Sequence, residues 1–224
     1  MPQPERILIL GGTREAADLA AQLVAEGHDV TTSLAGRTRE PAPLAGKLRI
    51  GGFGGAERLA AFLKEGAFTR LIDATHPFAR QISGNAVAAA QLAKVPLEVR
   101  TRAPWAREPG DDWIEVETLE AARDAIPAGA RVLLALGSQH IGVFASREDV
   151  HFIVRMVDPP QAPLGLPRHE VVTGKPGATA QLEAELFTRY AITHLVCRNS
   201  GGAISHAKIE AARLLALPVI ILAP

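Results

Sequence analysis

Short apolar runs alternate along this chain with longer segments whose apolar residues recur at helical spacing. Strands separated by helices cannot pair as hairpins, so the pattern demands crossover connections and a mainly parallel, doubly wound sheet. The pattern starts at Ile7–Leu10, an apolar run too short for a helix, which is followed by Gly11-Gly12-Thr13. Ala16, Leu19, Ala20, Leu23 and Val24 then mark one face of a helix, and Gly27 is placed to end it. Strands are predicted over Val30–Leu34, Leu48–Ile50, Leu71–Ala74 and Pro96–Thr101, and helices over Ala56–Lys64 and Phe78–Leu92.

Between Arg102 and Asp112 the periodicity disappears among charged residues, Pro104, Pro109 and Gly110, which marks a domain junction. The alternation then resumes. Strands are predicted over Trp113–Val116, Arg131–Leu136, His151–Val154, Glu170–Thr173, His194–Arg198 and Val219–Leu222. Helices are predicted over Leu119–Ala125, near Ile141–Ala145, and over Ala178–Tyr190 and Ala203–Leu217. The fold class expected is therefore α/β: two Rossmann-like domains, residues 1–102 and 103–224, with mainly parallel sheets and a cleft between them.

Lys plus Arg and Asp plus Glu balance at 24 each, so no global field attracts nucleic acid or an anionic membrane, and anionic ligands need local donors. Cys197 is the single cysteine, which excludes an internal disulfide; it reads as a small residue in a buried strand. The N-terminus meets Gly11 and Gly12 after a short apolar run, which suits neither a signal peptide nor a membrane span. A cytoplasmic protein without nucleic-acid or membrane partners is expected, with a monomer favoured.

Gly11, Gly12, Thr13 and Arg14 join the first strand to the first helix, where glycines let backbone approach a pyrophosphate and the helix start attracts the anion. Thr13 can either cap the helix or bond a phosphate oxygen. The third glycine of the dinucleotide fingerprint is missing, and Ala16 or Ala17 is left to pack helix against strand. Glu15 either touches ligand or simply complements the helix dipole. At the end of the second strand, NAD enzymes place an acid on the ribose; this chain has Ser33, Gly36, Arg37, Thr38 and Arg39 instead, which suits a 2′-phosphate. Gly51-Gly52-Phe53-Gly54-Gly55 either passes near the adenosine or only turns the chain. After the fourth strand, Thr75 and His76 stand at the sheet edge where ligands bind; His76 can donate a proton, hydrogen-bond a ligand or cap the strand, and Pro77 suits a first helical position.

In the second half, Arg198-Asn199-Ser200-Gly201-Gly202 joins strand to helix as the first loop does, and offers polar side chains and accessible amides. Lys208 lies at the margin of the next helix's apolar face, marked by Ile204, Ala207, Ala211 and Leu214, and leans toward that loop or covers apolar surface.

With GGTREA, SLAGRT, GGFGG, DATHPFA and RNSGG in this order, from about Ile7 to Ile221, the chain resembles precorrin-6A reductases of cobalamin biosynthesis. The resemblance implies two α/β domains, NADPH as cofactor, and reduction of a tetrapyrrole substrate, precorrin-6A, to precorrin-6B; the seven histidines are dispersed with no paired ligand spacing, so no metal is expected. It implies that Gly11, Gly12, Thr13, Ser33, Gly36, Arg37 and Thr75 serve the cofactor, and that Asn199, Ser200, Gly201, Gly202 and Lys208 serve the macrocycle. Arg198 departs from the family's lysine at this place, so charge is kept while proton donation is not. Arg102, Arg107, Arg155, Lys175, Arg198 and Lys208 are available for the substrate's carboxylates, and His76 and Lys208 are the expected proton donors.

Rival chemistries lack their motifs. The only tyrosine, Tyr190, has His194 rather than lysine four residues on, against a short-chain dehydrogenase. No Gly-x-Ser-x-Gly or His-Glu-x-x-His occurs, and a methyltransferase would place an acid where Arg37 stands. A non-catalytic NADP(H)-sensing module is the remaining alternative.

Overall fold

The structure, a computed structural model, describes residues 3–36, 43–203 and 205–223. Arg37, Thr38, Arg39 and Ile204 lie outside the described residues. The chain divides into two compact units, Met1–Arg102 and Ala103–Pro224. Among the described residues no helix is long and apolar enough to cross a membrane.

The first unit contains β1 (Arg6–Leu10), α1 (Arg14–Ala25), β2 (Asp29–Leu34), β3 (Lys47–Ile50), α2 (Ala56–Glu65), β4 (Arg70–Asp73), α3 (Arg80–Ala93) and β5 (Leu97–Val99). Its strands lie in the order β3-β2-β1-β4-β5, and every pairing is parallel. β1 is the middle strand and is covered on both faces, which explains its unbroken apolar run. Ile7 and Ile9 pack with Ala16, Ala20 and Leu23 of α1, while Leu8 and Leu10 face Leu59, Leu63 and Ala86 of α2 and α3. The strand's two-residue alternation thus divides one hydrophobic segment between two core layers. Gly27, just past α1, takes φ +91°, the left-handed turn that ends the helix cheaply only with glycine.

The second unit contains β6 (Trp113–Val116), α4 (Leu119–Asp124), β7 (Arg131–Ala135), a 3-10 helix (Ser138–Ser146), β8 (His151–Met156), β9 (His169–Thr173), α5 (Ala180–Arg189), β10 (His194–Arg198), α6 (Ala207–Leu214) and β11 (Val219–Leu222). The order is β6-β11-β10-β7-β8-β9, again wholly parallel. From β7 onward the strands repeat the first unit's winding, and β6 is added at the far edge beyond β11.

Three helices depart from the sequence reading. The stretch near Ile141–Ala145 is a 3-10 helix rather than an α-helix. α3 begins at Arg80, because His76 to Ala79 close a tight turn with the Ala79 N–H on the His76 carbonyl at 2.7 Å; Pro77 sits in that turn, not at the first helical position. α6 begins at Ala207 instead of Ala203 and ends at Leu214, where Ala216 with φ +50° leaves helical geometry.

Candidate functional site

In each sheet the winding reverses beside one strand, β1 in the first and β7 in the second, and ligands of open α/β folds bind at that switch point, outside the strands' carboxyl ends. In the first unit the loops after β1 and β4 meet there. The Gly11 N–H donates to the Ser33 carbonyl at 3.0 Å, tying the turn to β2. A Cβ on Gly11 would lie 3.0 Å from Thr32 Cγ2 and 3.4 Å from Ala16 Cβ, so only glycine lets helix, turn and second strand come this close. Ala16, buried against β1, fills the place of the missing third glycine. Gly12 has φ +117° with nothing crowding the position of a Cβ, leaving its backbone accessible to a ligand.

The Thr13 hydroxyl accepts from the Ala16 N–H and donates to the Ala74 carbonyl, both at 3.1 Å. It therefore caps α1 and staples the β1 turn to the β4 turn, with its own proton committed. Arg14 pairs with Asp18 along the exposed face of α1, and Glu15 meets Arg102 at 3.3 Å. Arg102 is thus held by a carboxylate of its own unit.

After β4, the buried Asp73 carboxylate accepts from both the backbone N–H (3.1 Å) and the hydroxyl (2.7 Å) of Thr75. With that proton spent, the 3.3 Å contact between the Thr75 and Ser83 hydroxyls has Ser83 as its donor. Thr75 is oriented as an acceptor. His76 Nδ1 accepts from the Phe78 N–H at 3.2 Å, which puts the neutral ring's proton on Nε2. At the end of β2, Ser33 is buried and accepts from Arg49 at 3.2 Å, and Gly36 has φ +77° with Ile50 3.1 Å from where a Cβ would stand. Among Ser33, Leu34, Ala35 and Gly36 there is no acid.

In the second unit the loop after β10 is fastened to the segment between Arg102 and Asp112. Asn199 Oδ1 accepts from the Trp105 N–H at 2.7 Å, and Asn199 Nδ2 donates to the Trp105 carbonyl at 3.0 Å. The Trp105 indole N–H donates to the Gly202 carbonyl at 3.0 Å. Gly201 and Gly202 both take positive φ, +64° and +82°, a double turn that favours glycine at both positions. Ser200 is buried beneath it. Lys208, also buried, donates to the Ser205 carbonyl at 2.7 Å, and its ammonium lies 4.8 Å from the centre of the Trp105 ring. His206 approaches the same ring at 5.6 Å and bonds Glu210. Asn199, Gly202 and Lys208 are therefore gathered around one indole. Arg198 ends β10 beside them.

Besides Arg102, two more of the cations expected to meet substrate carboxylates have partners within the protein. Arg155 is buried and forms an ion pair with Glu183 at 2.8 Å, whose carboxylate also accepts from the Gly177 N–H at 2.6 Å. Arg107 donates to the Asp111 carbonyl at 3.2 Å.

The precorrin-6x reductase CbiJ/CobK family profile matches residues 6–224. The chain belongs to this family. A precorrin-6A reductase of Rhodobacter capsulatus is 46% identical over 218 residues, spanning 97% of this chain and 87% of that protein. A cobalt-precorrin-6A reductase of Priestia megaterium is 31% identical over 232 residues, covering 96% of this chain and 89% of its own length. A solved CobK precorrin-6A reductase superposes with a TM-score of 0.94 at 46% identity, covering 98% of this chain and 88% of that one. Like the rest of its family the protein is an oxidoreductase, so the sensor reading falls away, and the first unit's glycine turn suits a nicotinamide dinucleotide.

Sequence reasoning passed over three features that stand at these strand ends and loops. Arg49 was hidden because strand register, not sequence proximity, sets it opposite Ser33. Trp105 lies in the aperiodic junction, where an aromatic residue among charges was its only signal. The loop after β7 reaches the second switch point with Gly137, Gln139 and His140, whose Gln139 Nε2 and His140 Nε2 are 2.8 Å apart. Its Gly-Ser-Gln-His run resembles no phosphate fingerprint.

Proposed function

We propose that the protein reduces precorrin-6A to precorrin-6B with NADPH, the first unit binding the cofactor and the second the macrocycle. The observation that carries this reading is the family match along essentially the whole chain, since both candidate sites lie within it. Identity is higher to the relative named for the metal-free substrate than to the one named for the cobalt form, which favours precorrin-6A itself.

The residues present fit a dinucleotide. Gly11 and Gly12 permit close backbone approach, the Thr13-capped start of α1 presents N–H groups to a pyrophosphate, and the absence of an acid at the end of β2 leaves room for a 2′-phosphate. Arg37 and Thr38 follow directly in sequence and supply a guanidinium and a hydroxyl for it. Arg14 adds positive charge beside the turn. When bound, NADPH supplies the hydride.

The chain's own residues position and polarise. Thr75, its proton held by Asp73, offers an acceptor beside the cofactor turn. In the second unit the Gly201–Gly202 turn, Ser200, Arg198 and Lys208 hold carboxylates of the macrocycle, with Asn199 securing the loop. Reduction also requires a proton at the neighbouring carbon. His76, with its proton on Nε2, and Lys208 are the two side chains suited to deliver it.

The test is NADPH oxidation with precorrin-6A, for the wild type, Arg37→Ala, His76→Ala and Lys208→Ala. The reading expects turnover with NADPH well above that with NADH, with the preference lost in Arg37→Ala. Absence of precorrin-6A reduction by the wild type would overturn it; near-normal turnover in both other variants would remove side-chain acid catalysis.

A further inference from the structure

Arg49 stands in β3 directly opposite Ser33 of β2 in the parallel register, so both side chains leave the same face of the sheet. Nη1 donates to the Ser33 hydroxyl at 3.2 Å and to the Gly51 carbonyl, and Nη2 donates to the Gly52 carbonyl at 3.1 Å. The guanidinium carbon lies 3.8 Å from the centre of the Phe53 ring and 5.3 Å from that of Phe62. A four-glycine turn, Gly51-Gly52-Phe53-Gly54-Gly55, thus takes its shape from one side chain.

Every one of these partners is neutral. Among the described residues Arg49 forms no ion pair, although it is half-buried and most of the other arginines of its unit meet a carboxylate. A partly desolvated guanidinium without a counter-charge makes an anion site. Its location is the carboxyl end of the second and third strands, the edge on which a doubly wound fold reads the adenosine ribose. Three of a guanidinium's five N–H groups serve Ser33, Gly51 and Gly52, so two donor directions lie outside those bonds. Ser33, accepting from Arg49, keeps its own proton to donate.

We propose that Arg49 is a specificity-determining residue for a 2′-phosphorylated adenine dinucleotide, neutralising the phosphate and turning the Ser33 hydroxyl toward it. Stacking on Phe53 holds the guanidinium plane and the glycine turn in one arrangement, so that the charge is already in position before ligand arrives. The inference rests on the NADPH reading but concerns a residue distinct from Arg37.

Binding of NADPH, NADH, 2′,5′-ADP and 5′-AMP to the wild type, Arg49→Gln and Arg49→Lys, followed calorimetrically, tests it without catalysis. Loss of a charge-assisted contact should weaken NADPH and 2′,5′-ADP in Arg49→Gln by roughly 10- to 100-fold. NADH and 5′-AMP should stay within about twofold, since they lack the group that makes the contact. Arg49→Lys, with a charge but no planar fork, should lie between the two. Equal losses for all four ligands would make Arg49 only a brace for the glycine turn, and unchanged binding would dismiss it; either overturns the proposal. Failure of the wild type to prefer NADPH over NADH would instead overturn the cofactor reading beneath it.

Discussion

Asn199 closes a ring with the backbone of Trp105, accepting from its N–H and donating to its carbonyl across 94 positions of sequence. Both ends of the amide are used, so neither aspartate, which lacks the donor, nor alanine, which lacks both groups, reproduces the pair. Asn199→Ala should therefore cost about 1–3 kcal/mol by stranding part-buried backbone groups, and should raise KM for the macrocycle more than it lowers kcat. Chemical unfolding and steady-state kinetics measure the two effects. Trp105→Phe, which keeps the ring beside Lys208 but removes the bond to Gly202, should show the KM effect with little loss of stability.

The Arg155–Glu183 pair makes a separate prediction. Both side chains are buried, and Glu183 also holds the Gly177 N–H, while Arg155 Nη2 has no hydrogen-bond partner among the described residues. Glu183→Ala leaves an uncompensated guanidinium inside the fold and should destabilise by about 3–5 kcal/mol. Because desolvation offsets much of the pair's attraction, Arg155→Met combined with Glu183→Leu should recover most of that loss. Urea unfolding of the single and double variants decides it, and a double variant as unstable as the single would show the pair to be worth more than an apolar replacement.

The succession of strands and helices in both units was written in the order of short apolar runs and helical segments, and Trp113–Val116, His194–Arg198 and Val219–Leu222 begin and end where their patterns do; the order of the strands within each sheet was not. Local spacing dictates such elements. It does not dictate which side chains meet. Thr13 looked equally suited to a helix cap and to a phosphate, and only the position of Ala74, brought beside it by the pairing of β1 with β4, commits its proton. Arg155 looked like a free cation for a substrate until α5 folded Glu183 against it. Arg49 and Trp105 matter through partners on other strands or across a long loop, so nothing in their immediate sequence marks them. The late start of α6 is local: the His206 N–H bonds the Ala203 carbonyl three residues back at 3.1 Å, and the helix begins only at Ala207.

Cys197 supplies a pH-dependent prediction. Complete burial pushes its thiol up from an ordinary 9.0 to about 11, with the positive charge of Lys208 pulling the other way. A group whose folded-state pKa is raised contributes its stability below the unfolded value and loses it as pH climbs to the folded one. The protein should therefore lose about 2–3 kcal/mol between pH 9 and about 11 through this thiol, the gap corresponding to roughly 1.4 kcal/mol for each tenfold. Unfolding free energies across that range should fall less steeply in Cys197→Ala than in the wild type. At neutral pH the native thiol should resist disulfide reagents and react only after unfolding.

Gly11 and Gly12 are adjacent yet should fail differently. At Gly12 the backbone itself is the difficulty: φ +117° strains any residue with a Cβ, but no neighbour stands in the way. Gly12→Ala should cost about 1–2 kcal/mol, and under the cofactor assignment proposed above relaxation of the turn should weaken NADPH at least ~10-fold by withdrawing amides from the pyrophosphate. At Gly11 the difficulty is space. Its Cβ would press on Thr32 and Ala16, one in a central strand and the other at the buried start of α1, and neither can swing aside. Gly11→Ala should therefore push α1 away from the sheet and cost about 1–3 kcal/mol of overpacking, a melting-temperature loss of several degrees. Thermal unfolding beside NADPH titration separates the two: equal melting losses with equal affinity losses would show that the turn responds as one rigid unit, not as two positions with distinct constraints.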